Sequence, residues 1–512
     1  MKNWEKTVLL VLSVVLLSIM FAYALYGDVH DILGIKTTDR IAWEELYRVR
    51  KHKPYSGKMC FEGKKLTMIE QYHGYLITQS MDTLQWQGNL STEGSYEMCF
   101  LRPKESKTDI IHMGKALELM VYDEETYDIL NIYVSGMPVL YLTKEPEVGY
   151  YAGTGNLLVL ENQALGREHV IEGTDYICQY RNRGNTSALS PKRPWKLNLR
   201  DVHGRKRNEP LLGMKNDNDW IANPLYSDLS NMREQLGYEI WAMMDGENQH
   251  QSRYCEFVLE GDYQGIYLLS ECVDYRTYNL SGQDSFLYSI KDWSSEEKKE
   301  DLYAPGAEER FYGNERELGG ISIDAFPEGR LDQAIELLRT LYSEVSGETY
   351  CSEYSIEFDQ KDMILHALLI DLLQANDNRY KNQKFALVKE SENRYIVHKT
   401  PWDLDITMQN ETYPQWAGGI LQSVTDQFMP HDMDRAWLKA ELAKRYWIFR
   451  EKFYHMDNLE KRIDEYRVYL ERTGAAQREE KRWNEQSLRE SCATLKRFFQ
   501  ERIESLDTYY GE

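Results

Sequence analysis

Between Met363 and Asp405 an apolar segment gives way to a polar turn, two short β-like runs and a second acidic turn. Met363, Ile364, Ala367, Leu368 and Leu372 recur at helical spacing, which predicts a helix with an apolar face. That helix delivers the turn Asn376-Asp377-Asn378-Arg379-Tyr380-Lys381-Asn382. The runs Phe385 to Lys389 and Tyr395 to His398 predict a hairpin, and Pro401-Trp402-Asp403-Leu404-Asp405 follows it. A helix, an Asp-x-x-x-x-Asn loop, a hairpin and a further Asp form an arrangement suited to phosphoryl transfer. Asp377 can accept a hydroxyl proton, while Asn382 and Asp403 can hold Mg²⁺ against ATP phosphates. Asp-x-x-x-x-Asn alone is a weak pattern in a chain with 83 Asp and Glu, so the weight falls on what else the chain supplies.

The ends and the charge set the setting. Thr7 to Tyr26 carries no charge and, at about 20 residues, is long enough to cross a bilayer. Lys2 and Lys6 precede it, a bias that keeps the short N-terminus cytoplasmic and exports the rest. Ala22-Tyr23-Ala24 resembles a signal-peptidase site, so secretion after cleavage is the alternative to a single-pass anchor. The net charge of −22 excludes nucleic acid as a partner, since no surplus of Lys and Arg exists to neutralise phosphates. Seven cysteines show no spacing that would hold a metal. Export permits disulfides, and Cys60 with Cys99 is a plausible pair.

Along the chain, residues 28–55 read as a juxtamembrane linker with one amphipathic helix, Ile41 to Arg50. Short alternating runs at Lys65–Ile69, Tyr75–Thr78, Tyr96–Leu101 and Leu117–Tyr122 predict a small β-rich module without recognisable chemistry. Strands are predicted at Pro138–Leu142 and Tyr176–Tyr180, the second leading into Arg183-Gly184-Asn185-Thr186-Ser187. A strand over Lys192–Leu199 carries Lys196 opposite Trp195. Ser227 to Met244 reads as a helix capped by Ser227 or Asp228. The runs Tyr254–Leu259 and Gly265–Leu269 read as a hairpin ending at Glu271, and Trp293 to Glu300 as a charged insertion. Beyond residue 430 the rows Trp437–Tyr454, Leu459–Arg472 and Leu488–Tyr509 predict a packed helical tail.

This order resembles the CotH (spore coat protein H) family of atypical secreted kinases. The resembling phrases are Arg183 to Ser187 with Pro194-Trp195-Lys196-Leu197, Leu211 to Met214 with Asp219 to Asn223, Asp228 to Arg233, Gly265 to Glu271, Asn376-Asp377 to Asn382, and Pro401 to Asp405. Arg482-Trp483 and Phe498 to Arg502 in the tail are similar to that family's C-terminal end, and the likeness covers roughly residues 137–508.

The resemblance implies an α+β fold. Residues 1–27 would be the stub and transmembrane anchor, and 28–134 the linker and small β-rich module. A bilobal protein-kinase-like domain would follow, with an N-lobe over 135–275, a C-lobe over 276–430 and a helical tail over 431–512. It implies transfer of the ATP γ-phosphate to Ser or Thr of a secreted or envelope protein with Mg²⁺ or Mn²⁺. Asp377 would orient the hydroxyl, while Asn382, Asp403 and Asp405 would bind metal. Lys196, with the turn Arg183, Gly184, Asn185 and Ser187, would meet the phosphates, and Glu271 would lie at the hinge. A kinase pairs such a Lys with a helix Glu, and Glu234 and Glu239 are both available. After Asp405 the family shows a small residue or Gly a few positions on, where this chain has Ile406-Thr407-Met408-Gln409-Asn410. A catalytically inactive surface protein on the same fold, or a kinase for a cell-surface glycan, are the rival readings.

Overall fold

The computed structural model describes residues 31–145, 152–165, 168–184, 187–246, 248–280, 285–291, 317–318, 320–379, 381–412, 428–483 and 487–511. The Thr7–Tyr26 run, Asn185 and the Trp293–Glu300 insertion lie outside these residues. No helix among the described residues is long and apolar enough to cross a membrane. The described fold mixes helices and sheets, with nine α-helices: α1 (Arg40–Arg48), α2 (Lys107–His112), α3 (Arg233–Met243), α4 (Leu331–Ser346), α5 (Gln360–Leu373), α6 (Arg435–Lys452), α7 (Met456–Arg472), α8 (Ala475–Trp483) and α9 (Leu488–Gly511). The chain divides into two compact units. Of the described residues, the first takes those within Met1–Cys178, Cys255–Gly265 and Glu471–Arg478, and the second those within Gln179–Tyr254, Ile266–Leu470 and Glu479–Glu512.

The first unit is built on a seven-stranded sheet whose antiparallel centre is Glu97–Leu101, Ala116–Tyr122 and Thr126–Ser135. Alternation buries every second residue of Thr126–Ser135, so one side chain set faces the main apolar core, where Leu130, Ile132 and Val134 are fully buried. The opposite face is covered by α1, whose Trp43 packs with Met120 and Cys99. Asp39 caps α1 by accepting from the Ala42 N–H at 2.9 Å. Cys60 belongs to a separate three-stranded sheet, paired between Lys64–Lys65 and Leu90–Thr92. The expected Cys60–Cys99 disulfide is therefore not formed: Cys99 is committed to the Trp43 cluster on another sheet, and both thiols are unpaired.

The second unit holds the residues singled out for chemistry. Trp195–Arg200 pairs with Asp219–Asn223, which pairs with Asp262–Glu271, so Ile221 lies opposite both Lys196 and Ser270. A second sheet runs in the order Glu317–Leu318, Ile321–Ala325, Ser285–Ile290, Gln383–Lys389, Arg394–Pro401 and Ser355–Phe358. The expected hairpin of residues 385–398 is present within it as Gln383–Lys389 paired antiparallel with Arg394–Pro401. α4 supplies the apolar partner of this sheet through Leu337, Leu338 and Leu341. Almost all of α5 is buried, including Asp371, so this helix is enclosed on all sides rather than lying on a surface.

α3 begins at Arg233, later than the sequence led one to expect, because the preceding turn folds on itself. Leu225 and Asn231 adopt left-handed backbone (φ 55° for each). Asp228 accepts from the Ser230 N–H at 2.9 Å and the Arg233 N–H at 2.7 Å, anchoring the helix start from outside it.

Candidate active site

The site grows from the C-terminal end of α5. Asp359 caps the other end, accepting from the Asp362 N–H at 2.9 Å. Gln374 ends the helix in left-handed backbone, φ 50°, turning the chain into the short 3₁₀ segment Asn376–Arg379. Asp377 is buried there, and its Oδ2 accepts from Asn382 Nδ2 at 2.6 Å while Lys381 Nζ lies 2.8 Å from its Oδ1. Burial pushes the Asp377 carboxyl above the usual carboxylate range, against the pull of Lys381 and with a further push from Asp403. Asn382, at φ 53°, closes the loop back onto Asp377.

Asn378 joins this loop to the acidic turn. Its buried amide donates to the carbonyls of Trp402 at 2.7 Å and Asn382 at 3.2 Å. Gln383 in turn donates to the Asn378 carbonyl at 2.8 Å. Asp403 takes left-handed backbone (φ 58°), and its N–H meets the Tyr238 hydroxyl of α3 at 3.3 Å. Asp405 accepts from the Ser227 hydroxyl. Burial, then the neighbouring Asp403, push the Asp405 carboxyl up to about 7. Asp377, Asn382, Asp403 and Asp405 thus share one neighbourhood within the second unit.

The two helix glutamates separate cleanly. Glu239 faces α7, where Arg462 Nη2 lies 3.2 Å away and the Tyr466 hydroxyl donates at 3.0 Å. Glu234 is buried and accepts from Asn223 and from the Tyr238 hydroxyl. Burial, then Asp403 and Asp405, push its carboxyl up to about 8. Lys196 pairs instead with Asp219, at 3.9 Å. Glu234 therefore belongs with the acidic turn, and the lysine has a strand aspartate as its counter-ion.

Arg183 reaches the acidic turn through Trp402. The guanidinium lies over the Trp402 ring at 5.3 Å from its centroid, and Lys384 lies over the same ring at 5.1 Å. Gly184 sits at φ 81°, and a Cβ there would come within 2.2 Å of the Ser187 hydroxyl, so this turn requires glycine. Asn185 lies outside the described residues. Glu271 is spent on backbone: its Oε2 accepts from the Gln251 N–H at 2.8 Å, and burial raises its carboxyl above the usual range.

Two features shape the acidic turn, the first of them a contact invisible to sequence reasoning. Gly237 of α3 leaves room for Leu404, which lies between the two aspartates: a Cβ at 237 would stand 2.6 Å from Leu404 Cδ1 and 3.2 Å from Leu373 Cδ1. Gly237→Val is expected to destabilise the fold by about 1–3 kcal/mol, read by denaturant unfolding. The second feature follows Asp405. Met408 and Gln409, in the run Ile406–Asn410 where a small residue or Gly was expected a few positions after Asp405, both adopt left-handed backbone at φ 52° and 50°. That strain makes Gln409→Gly stabilising by about 0.5 kcal/mol, strain relief outweighing the added unfolded-state entropy. A fall in the denaturation midpoint would contradict this account of the loop.

A separate group, Asp359, Asp362 and His398, brings potential metal-ligand atoms within 4.8 Å of one another at the start of α5. Asp359 is engaged as a helix cap, and Asp362 accepts from His398 Nδ1 at 2.9 Å and Asn248 Nδ2 at 2.8 Å.

Against this geometry, the family described as CotH kinase protein matches residues 180–506, which takes in Arg183, Lys196, Glu234, Asp377, Asn382, Asp403 and Asp405. No curated protein shows a significant match to the chain.

Proposed function

Because the chain belongs to the CotH kinase protein family, we propose that it is a membrane-anchored, extracytoplasmic phosphotransferase with a bilobal kinase-like domain, moving the ATP γ-phosphate to Ser or Thr of a secreted or envelope protein. The observation that carries this reading is the Asn378 bridge. One buried amide links the loop of Asp377 and Asn382 to the turn of Asp403 and Asp405, so proton acceptor and metal carboxylates are held in a fixed relation. The donor set fits a hard divalent cation such as Mg²⁺ or Mn²⁺, being made of carboxylate and amide oxygens. Burial first, and then the neighbouring carboxylates, push Glu234 to about 8 and Asp405 to about 7, and a cation bound there would favour their charged forms.

When bound, ATP with its cation would supply the transferable phosphoryl group and the neutralising charge. Asp377 would orient the acceptor hydroxyl and take its proton, its carboxylate held by Asn382 and Lys381. Asn382, Asp403 and Asp405 would hold the cation. Lys196 would meet phosphate oxygens, with Arg183, Gly184, Asn185 and Ser187 closing over them. The apolar run Thr7–Tyr26 would anchor the chain with its bulk outside the membrane.

The test is Mg-ATP binding to the full chain, followed by incubation with γ-labelled ATP and envelope fractions. Asp403→Ala is expected to abolish nucleotide binding in the presence of Mg²⁺. Absence of binding in the wild-type chain would reject the kinase reading in favour of an inactive surface protein. Label confined to glycan would replace the protein acceptor with a sugar.

A further inference from the structure

The last four carbonyls of any α-helix lack partners within the helix, and in α5 tertiary donors supply most of them. The Ile370 carbonyl is met locally by the Ala375 N–H at 3.0 Å. The Asp371 carbonyl accepts from Arg502 Nε of α9 at 2.6 Å. The Leu372 carbonyl accepts from the Tyr454 hydroxyl, between α6 and α7, at 2.5 Å. The Leu373 carbonyl accepts from the Met408 N–H, just past Asp405, at 2.8 Å. The Asp371 carboxylate, fully buried, accepts from the Tyr510 hydroxyl of α9.

The accepting groups, on Ile370 to Leu373, all lie shortly before Asp377 in the chain. Arg502 also sets a cation against the negative end of the helix dipole. A tail that only covered apolar surface would not need three polar side chains converging on one helix end. We infer that the C-terminal helices are part of the proposed catalytic apparatus: Arg502, Tyr510 and Tyr454 are positioning residues that fix the α5 terminus and so the loop bearing Asp377. The inference rests on the phosphotransferase reading for its effect on turnover, but not for its effect on the loop.

The experiment uses the full chain and compares Tyr510→Phe and Arg502→Lys with Leu506→Ala, which removes buried apolar surface from α9 and no hydrogen bond. Backbone hydrogen exchange over residues 376–382 is expected to quicken in the first two variants and not in the third. Turnover should fall roughly ten- to a hundredfold, as for a displaced catalytic group, with KM for ATP unchanged. Equal exchange in all three variants, or unchanged exchange in Tyr510→Phe and Arg502→Lys, overturns the positioning role. A wild-type chain without transfer activity, but with exchange at 376–382 sensitive to Tyr510, keeps the positioning role and removes only the kinase reading.

Discussion

Asp377→Asn is expected to cut turnover by roughly 10²- to 10⁴-fold, the usual contribution of a positioned proton acceptor, with Mg-ATP affinity retained. The amide is the same size, and its oxygen can keep the 2.6 Å hydrogen bond from Asn382, so the loop should hold its shape. What disappears is the capacity to take a proton and the ion pair with Lys381. Stability should be kept, because the carboxylate is held above its ordinary range chiefly by burial, a penalty that a neutral amide escapes. The informative result is therefore a split: kcat lost, nucleotide affinity and denaturation midpoint kept. Turnover within a few-fold of wild type would remove Asp377 from the chemistry.

What the sequence made legible follows from where periodicity is strong. The apolar repeat of Met363 to Leu372 and the alternation on either side of Ser391 place a helix, a loop and a hairpin in order, and the structure has them at Gln360–Leu373, Asn376–Arg379 and Gln383–Pro401. Asn378 was not legible. In a run containing three asparagines, nothing local separates a turn former from the amide that bridges two loops 24 residues apart. The choice between Glu234 and Glu239 was closed for a similar reason. Both lie on α3, and only contact with Arg462 and Tyr466, more than 200 residues away, assigns Glu239 to the helical tail. The Asp219 counter-ion of Lys196 depends on strand pairing that places Asp219 opposite Asn198, a fact of register rather than of composition. The cysteines misled because compartment sets whether a disulfide is permitted, not whether two strands lie close enough to form one.

The largest stability effect is expected at Asp228, upstream of the acidic turn. Arg233 is fully buried, and its Nη1 meets Asp228 Oδ1 at 2.5 Å while Nη2 meets Glu411 at 2.8 Å. Asp228 also accepts from Ser230 Oγ at 2.6 Å and from the Arg233 N–H at 2.7 Å, so one carboxylate both neutralises the guanidinium and anchors the start of α3. Asp228→Ala leaves a buried cation with half its partners, a loss of about 3–5 kcal/mol. Because the pair is buried, this loss should persist at high salt, unlike that of an exposed ion pair. Combining Asp228→Ala with Arg233→Met removes the stranded charge and should recover part of the loss, though not the anchor at the Arg233 N–H. Denaturant unfolding of the two variants measures both quantities. An equal loss in the single and double variants would assign the whole effect to the helix start, whereas full recovery would assign it to the ion pair. The intermediate value expected here would show that α3, which carries Glu234, Gly237 and Tyr238 toward the acidic turn, is set in place by charge and backbone together.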